Sequence, residues 1–165
     1  MNNNSIQIFQ TVALRPQMLQ YFINEFPAIC LTVAAFGVYA FCKFMWHEYF
    51  IYAALFLTVY LFCKLLSLLR TEYVITSEQL VILHGVLSHS TDYVELYRVV
   101  DYKQHRSLPQ QLFGLKTVTL YSGDRNNSIV NMIGLKETDD VVSEIRMRVE
   151  FNKRRKGVYE ITNRF

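Results

Sequence analysis

Charge is what this sequence lacks where it is most telling. Between Phe26 and Leu69 the only acidic or basic residues are Lys43, Glu48 and Lys64, although charged residues make up 19% of the 165-residue chain. Cysteine is absent after Cys63, and Cys30, Cys42 and Cys63 show no CxxC spacing. A zinc site and a disulfide framework are therefore excluded, and the three thiols are expected to be buried structural groups within apolar segments. No GxSxG, no HExxH and no phosphate-cradling glycine loop occurs, which removes the common signatures of hydrolases, zinc proteases and nucleotide enzymes. A net charge of +3 without basic and aromatic interleaving gives no reason to expect nucleic acid as a partner.

What is present begins with two apolar runs, Phe26–Cys42 and Tyr49–Leu69, separated by Lys43-Phe44-Met45-Trp46-His47-Glu48. About 20 apolar residues carry a helix across a bilayer's hydrocarbon core. A six-residue link forces a tight hairpin whose two ends return to the same side. A signal peptide would begin with a basic stretch and a short apolar core, whereas this chain begins Met1-Asn2-Asn3-Asn4-Ser5. Two spans, residues 26–42 and 49–69, are the expectation.

Arg15, Lys64 and Arg70 lie on the side of the termini, against Lys43 in the turn offset by Glu48. That bias puts both termini and the downstream domain in the cytoplasm and the Trp46 turn outside. Trp46, Tyr49 and Tyr52 read as an interfacial aromatic belt. Upstream, Met18, Leu19, Phe22, Ile23 and Phe26 share a helical face after Pro16, as an interfacial helix or as the lower part of the first span. Residues 1–10 read as a tail.

After Arg70 the period becomes alternating. Short strands are expected at 73–76, 80–84, 86–90, 93–96 and 99–104, with Gly85 breaking or bulging the second. Ser107-Leu108-Pro109 through Gly114 reads as a brief capped helical turn. Lys116 to Tyr121, the loop Ser122–Asn127 and Ser128 to Ile133 form a hairpin. Thr138-Asp139-Asp140 opens a helix whose apolar stripe is Val142, Ile145 and Val149, with Val141 beside it, ending near Lys156-Gly157. Residues 158–165 are an added strand or a tail.

Thr71-Glu72-Tyr73-Val74-Ile75-Thr76 followed by Leu80 to Gly85 resembles the opening of bacterial pleckstrin-homology-like (PH-like) domains that follow a transmembrane hairpin. Val94-Glu95-Leu96-Tyr97-Arg98-Val99-Val100-Asp101 is similar to that family's most characteristic segment, as is Arg106-Ser107-Leu108 through Leu112-Phe113-Gly114-Leu115. Leu115-Lys116 departs from it, since members often carry a further small residue there. The resemblance covers residues 71–150 in motif and nearly the whole chain in architecture. It implies a membrane protein with a two-helix hairpin followed by a small β-rich PH-like roll of antiparallel strands at 71–157, capped by a C-terminal helix. It implies no catalysis.

The residues agree with that reading. His47, His84, His89 and His105 are scattered, and Asp139 and Asp140 diverge on a helix, so neither a metal site nor a carboxylate pair is expected. No cofactor is called for. Arg98 and Asp101 read as a surface pair or a strand-to-loop bond.

The expected role is a non-enzymatic, membrane-anchored interaction or scaffold module of the bacterial cytoplasmic membrane. Its partners would be the bilayer and a protein or a second copy of itself. The alternative is a homo-oligomeric pore in which the hairpin is the active part, although neither run carries an ionisable group at mid-depth, as a conducting path would. Contacts to anionic lipid or a partner fall to Arg98, Lys103, Arg106 and Lys116, and to Lys153, Arg154, Arg155 and Lys156. This last cluster reads either as a solvated helix end complementing the dipole or as a juxtamembrane lipid contact.

Overall fold

The alternating pattern of the second half resolves into two antiparallel sheets in a computed structural model, which describes residues 9–42, 46–86, 88–124 and 127–157. The element order is β1 (Val12–Leu14), α1 (Leu19–Phe41), α2 (Glu48–Leu69), β2 (Glu72–Ile75), β3 (Gln79–His84) and β4 (Ser90–Glu95). A 3₁₀ turn (Leu96–Arg98) follows, then β5 (Val99–His105), α3 (Leu108–Leu112), β6 (Leu115–Ser122), β7 (Ile129–Lys136) and α4 (Val141–Arg155). The first sheet has the order β1-β2-β3-β4 and the second β5-β6-β7. Every neighbouring pair is antiparallel.

The first strand was not legible as one. Val12, Ala13 and Leu14 pair with Ile75, Val74 and Tyr73, so the sheet begins before the two long helices and resumes directly after them. Within residues 1–10, Phe9 and Gln10 do not dangle. Phe9 meets the Phe151 ring edge-on at 5.4 Å, and the Gln10 carbonyl accepts from Arg148. Residues 1–8 and 158–165, with the expectations placed on them, lie outside the described residues.

Both long helices have the length and apolar composition of membrane-crossing segments. The α1 helix runs unbroken from Leu19 through Pro27, so the stretch before Pro27 is the lower part of the same helix and not a separate one. Small residues line the join: Thr32 and Ala35 on α1 and Ala54 on α2 are buried, which lets the backbones approach closely. Most other side chains of the pair point outward. Cys30, Cys42 and Cys63 are among them, which corrects the expectation of buried thiols. A two-helix contact buries one narrow stripe, and the cysteines lie off it.

The roll has a conventional core. Ile75, Leu80, Val94, Leu96, Val99, Val118, Leu120 and Met132 from the two sheets meet Val141, Ile145 and Val149 of α4. Strand β6 alternates buried and half-buried positions, as a sheet with one face on a core requires. Helix α4 starts where its acids foretold, with the Asp140 carboxylate accepting from the Ser143 amide. Its inner face is rotated from the expected stripe: Val142 is only partly buried, while Arg148 and Asn152 are buried.

Candidate functional site

Strand direction fixes which part of the roll faces the long helices. Strand β2 leaves α2 at Thr71 and runs away from it, so the Ser77-Glu78 turn lies at the far end of the sheet, roughly 20 Å along an extended chain. Helix α4 reaches that far end: the Asn152 amide donates to the Ser77 carbonyl at 2.6 Å, and Arg155 pairs with Glu78 at 2.6 Å. The hydrogen bond from Arg155, then its charge, holds the Glu78 carboxyl below the usual carboxylate range.

The cluster Lys153–Lys156 therefore sits at the end of the first sheet remote from the hairpin. Of the two readings of this cluster, a solvated helix end and a juxtamembrane lipid contact, the position accords with the first. Lys156 places its ammonium 4.0 Å over the Tyr97 ring. Arg98 shares that ring: its Nε donates to the Tyr97 hydroxyl at 2.9 Å, and its guanidinium meets Asp124 at 3.4 Å. The bond to Tyr97 raises the Arg98 pKa further above its ordinary value. Arg98, Arg155 and Lys156 thus gather at one corner, while Arg154 stands exposed and Lys153 lies beside it on α4.

The other predicted cations are elsewhere. Lys103 is exposed on β5. Arg106 pairs with Glu137. Lys116 is no surface cation: it is 4% exposed and donates to the Glu137 carbonyl at 3.2 Å. Asp101 does not pair with Arg98 but accepts from the Tyr102 amide at 2.7 Å. His84 faces Asp92 at 3.8 Å and His89 faces Arg70 at 3.4 Å, so the two are partnered separately.

Arg148 was missed by sequence reasoning, and it is the most connected side chain of the roll. Fully buried, it donates to the carbonyls of Ile75 (3.0 Å), Thr76 (2.8 Å) and Gln10 (2.6 Å) and to the Glu144 carboxylate (2.6 Å). The Phe9 ring covers its guanidinium at 5.2 Å. One cation so joins the N-terminal segment, the β2–β3 turn and α4. The available signal was its position three residues after Ile145 on the apolar face.

At the near end, a second polar set joins the roll to α1. The Gln17 amide donates to the Gly134 carbonyl at 2.9 Å. The Gln110 amide donates to Gln20 at 2.9 Å and to Thr117 at 2.9 Å, and Gln20 donates to Asn24 at 2.7 Å. Gly134 has φ +74°, and a Cβ there would stand 2.8 Å from the Gln20 Cβ, so glycine is required twice over. Helix α3 stands against this set. Ser107 caps it in a capping box with Gln110, and Gln110 faces inward. Between the sheets, the Tyr73 hydroxyl accepts from the Ile133 amide at 3.0 Å, and burial raises the Tyr73 pKa. A cleft of about 200 Å³ opens at the join, lined by Glu25 and Lys64 among others.

Two long apolar helices threaded through the edge of a β-roll define a class of small β-rich domain carrying a helical hairpin. Residues 21–149 match the family model of the bacterial PH domain, and the chain belongs to that family. The match starts inside α1 and ends inside α4, so it takes in all of α2 and all but the first two residues of α1. No curated protein and no solved structure matches the chain. Domains of this kind are generally non-enzymatic interaction modules.

Proposed function

We propose that the protein is a membrane-anchored, non-catalytic interaction module whose roll is held in one orientation at the cytoplasmic surface of a bacterial membrane. The carrying observation is that the hairpin is inserted between two paired strands of one sheet, with its own surface apolar outward. Leu31, Val33, Phe41, Phe56, Val59 and Phe62 are all exposed on it. Such a surface is unfavourable in water and favourable in lipid. Because β1 and β2 are paired across the hairpin's two ends, the roll cannot swing on a flexible tether. A partner protein would meet it in a restricted pose.

The reading as a pore finds less support. Thr32 and Thr58, hydroxyls in the middle of the helices, donate to Ala28 (2.7 Å) and Ala54 (2.8 Å) of their own helices and offer no polar lining. The excess of Arg15, Lys64 and Arg70 over Lys43 supports the cytoplasmic side for the roll.

Alkaline extraction of membranes, followed by proteolysis of sealed vesicles of either sidedness, tests the assignment. The protein should stay in the membrane pellet, and the roll should be cut only from the cytoplasmic face. Release by alkali would overturn the anchor. Mass measurement in nanodiscs separates the two readings: a ring of copies that leaks ions would favour the pore.

A further inference from the structure

The near end of the roll carries an apolar surface that the fold leaves uncovered. In α3, Leu108 and Leu112 are 77% and 84% exposed, and Phe113 at its end is half exposed. Leu108 and Leu112 are four residues apart and share a face. Gln110, between them, points the other way and is 4% exposed, tied to Gln20 and Thr117. The capping box holds the turn rigid, so these apolar groups are presented and not merely loose.

The position of α3 identifies what covers them. It is bonded to Gln20, in the first turn of α1, where Met18, Leu19 and Phe22 are also exposed. A hydrocarbon core of about 30 Å takes about 20 helical residues. Counted back from Phe41, where α1 ends, that length reaches Phe22, so Gln20 falls at the boundary between acyl chains and headgroups. The turn next to it falls at the same depth. Exposed apolar side chains therefore occur on both elements at this level, and Arg106, paired with Glu137, stands two positions before Leu108.

We infer that α3 is an interfacial wedge: Leu108, Leu112 and Phe113 insert into the headgroup–acyl boundary of the lipid bilayer beside the foot of α1. The inference rests on the membrane reading given above. The wedge gives the roll a second foothold at a distance from the hairpin axis, and it fixes rotation about that axis as well as height. The basic cluster at the far end lies away from that foothold.

The chain's single tryptophan makes a direct test simple. In a Trp46→Phe background, Leu112→Trp, Phe36→Trp and Val100→Trp are each reconstituted in vesicles with and without lipids brominated high on the acyl chain. All three substitutions are at exposed positions, and circular dichroism checks that each variant is folded. Leu112→Trp should be quenched several-fold more than Val100→Trp, which sits two residues from Arg98 at the far corner, and should emit further to the blue. Quenching of Phe36→Trp together with a red, unquenched Leu112→Trp would overturn the wedge and leave the anchor standing. An unquenched Phe36→Trp would overturn both.

Discussion

The end of the roll that meets the hairpin and the end remote from it are built from opposite materials. The near end offers exposed leucines on α3 and neutral amides buried behind them. The far end gathers Arg98 and Lys156 at Tyr97 and Arg155 at Glu78, with Arg148 buried on the same helix as Arg155. Basic residues in a chain with two long apolar helices invite the assumption that they lie beside those helices. Here strand direction outweighs that assumption, because seven residues of extended chain carry the charge away from the hairpin. A charge run shows that a surface is polar. Only topology shows where the surface is.

The two ends also hold different joints, and mutations can separate them. Arg148→Met at the far end should have the largest effect. It removes four hydrogen bonds, takes the buried donor from the carbonyls of Ile75 and Thr76, and frees the N-terminal segment at Gln10. A loss of ~3 kcal/mol or more is expected, since acceptors left buried and unpaired cost more than a single bond contributes. Denaturant melts of the detergent-purified protein give the measurement. Arg148→Lys should fall between, because one ammonium cannot reach all four acceptors. A melt unchanged in Arg148→Met would mean that the knot is incidental.

Gly134→Ala addresses the near end. The new methyl would meet Gln20 at 2.8 Å, and alanine would be strained at φ +74°. About 2 kcal/mol is expected. The distribution of the effect distinguishes it from Arg148→Met. Hydrogen exchange at the Gln17 amide, which donates to the Gly134 carbonyl, should accelerate, while the core amides of β2 and β3 stay protected. Uniform acceleration would show that the hairpin and roll unfold as one unit.

How far the sequence revealed these ends depends on the range of the signal. The long helices, the β6–β7 hairpin, the capped turn at Ser107 and the start of α4 at Asp140 were all legible, because each is decided by residues within a few positions. Strand β1 was not, since three residues carry no period and its partner lies some sixty positions away in Tyr73–Ile75. Lys116 read as a surface cation and Arg148 went unremarked for the same reason: their acceptors come from distant segments. The outward cysteines were misjudged because apolar surroundings in a sequence do not say whether the neighbour is protein or lipid.

Tyr73→Phe probes the seam between the sheets, beside the near joint. It removes the acceptor of the Ile133 amide and little else. The expected cost is about 1 kcal/mol, toward the low end for an orphaned donor because the amide lies near a bulge-prone stretch that can relax. The effect should be visible as a lower melting temperature with the near-end exchange pattern unchanged. A cost equal to that of Gly134→Ala would mean that the seam and the near joint act together.

The smallest effect concerns the far end's surface pair, Glu78 with Arg155. The Glu78 carboxyl is held below its ordinary range in the fold, so the unfolded chain binds its proton first as pH falls. The pair's contribution is therefore complete above the ordinary carboxylate pKa and is lost as pH drops through the depressed value. Both side chains are nearly half exposed, so solvent screening limits the contribution to less than ~1 kcal/mol. Arg155→Gln should lower the melting temperature slightly at neutral pH, and the gap from the native sequence should close in acid. A gap that persists in acid would assign the effect to lost packing of the arginine stem and not to its charge. The far corner would then be held chiefly by Arg148.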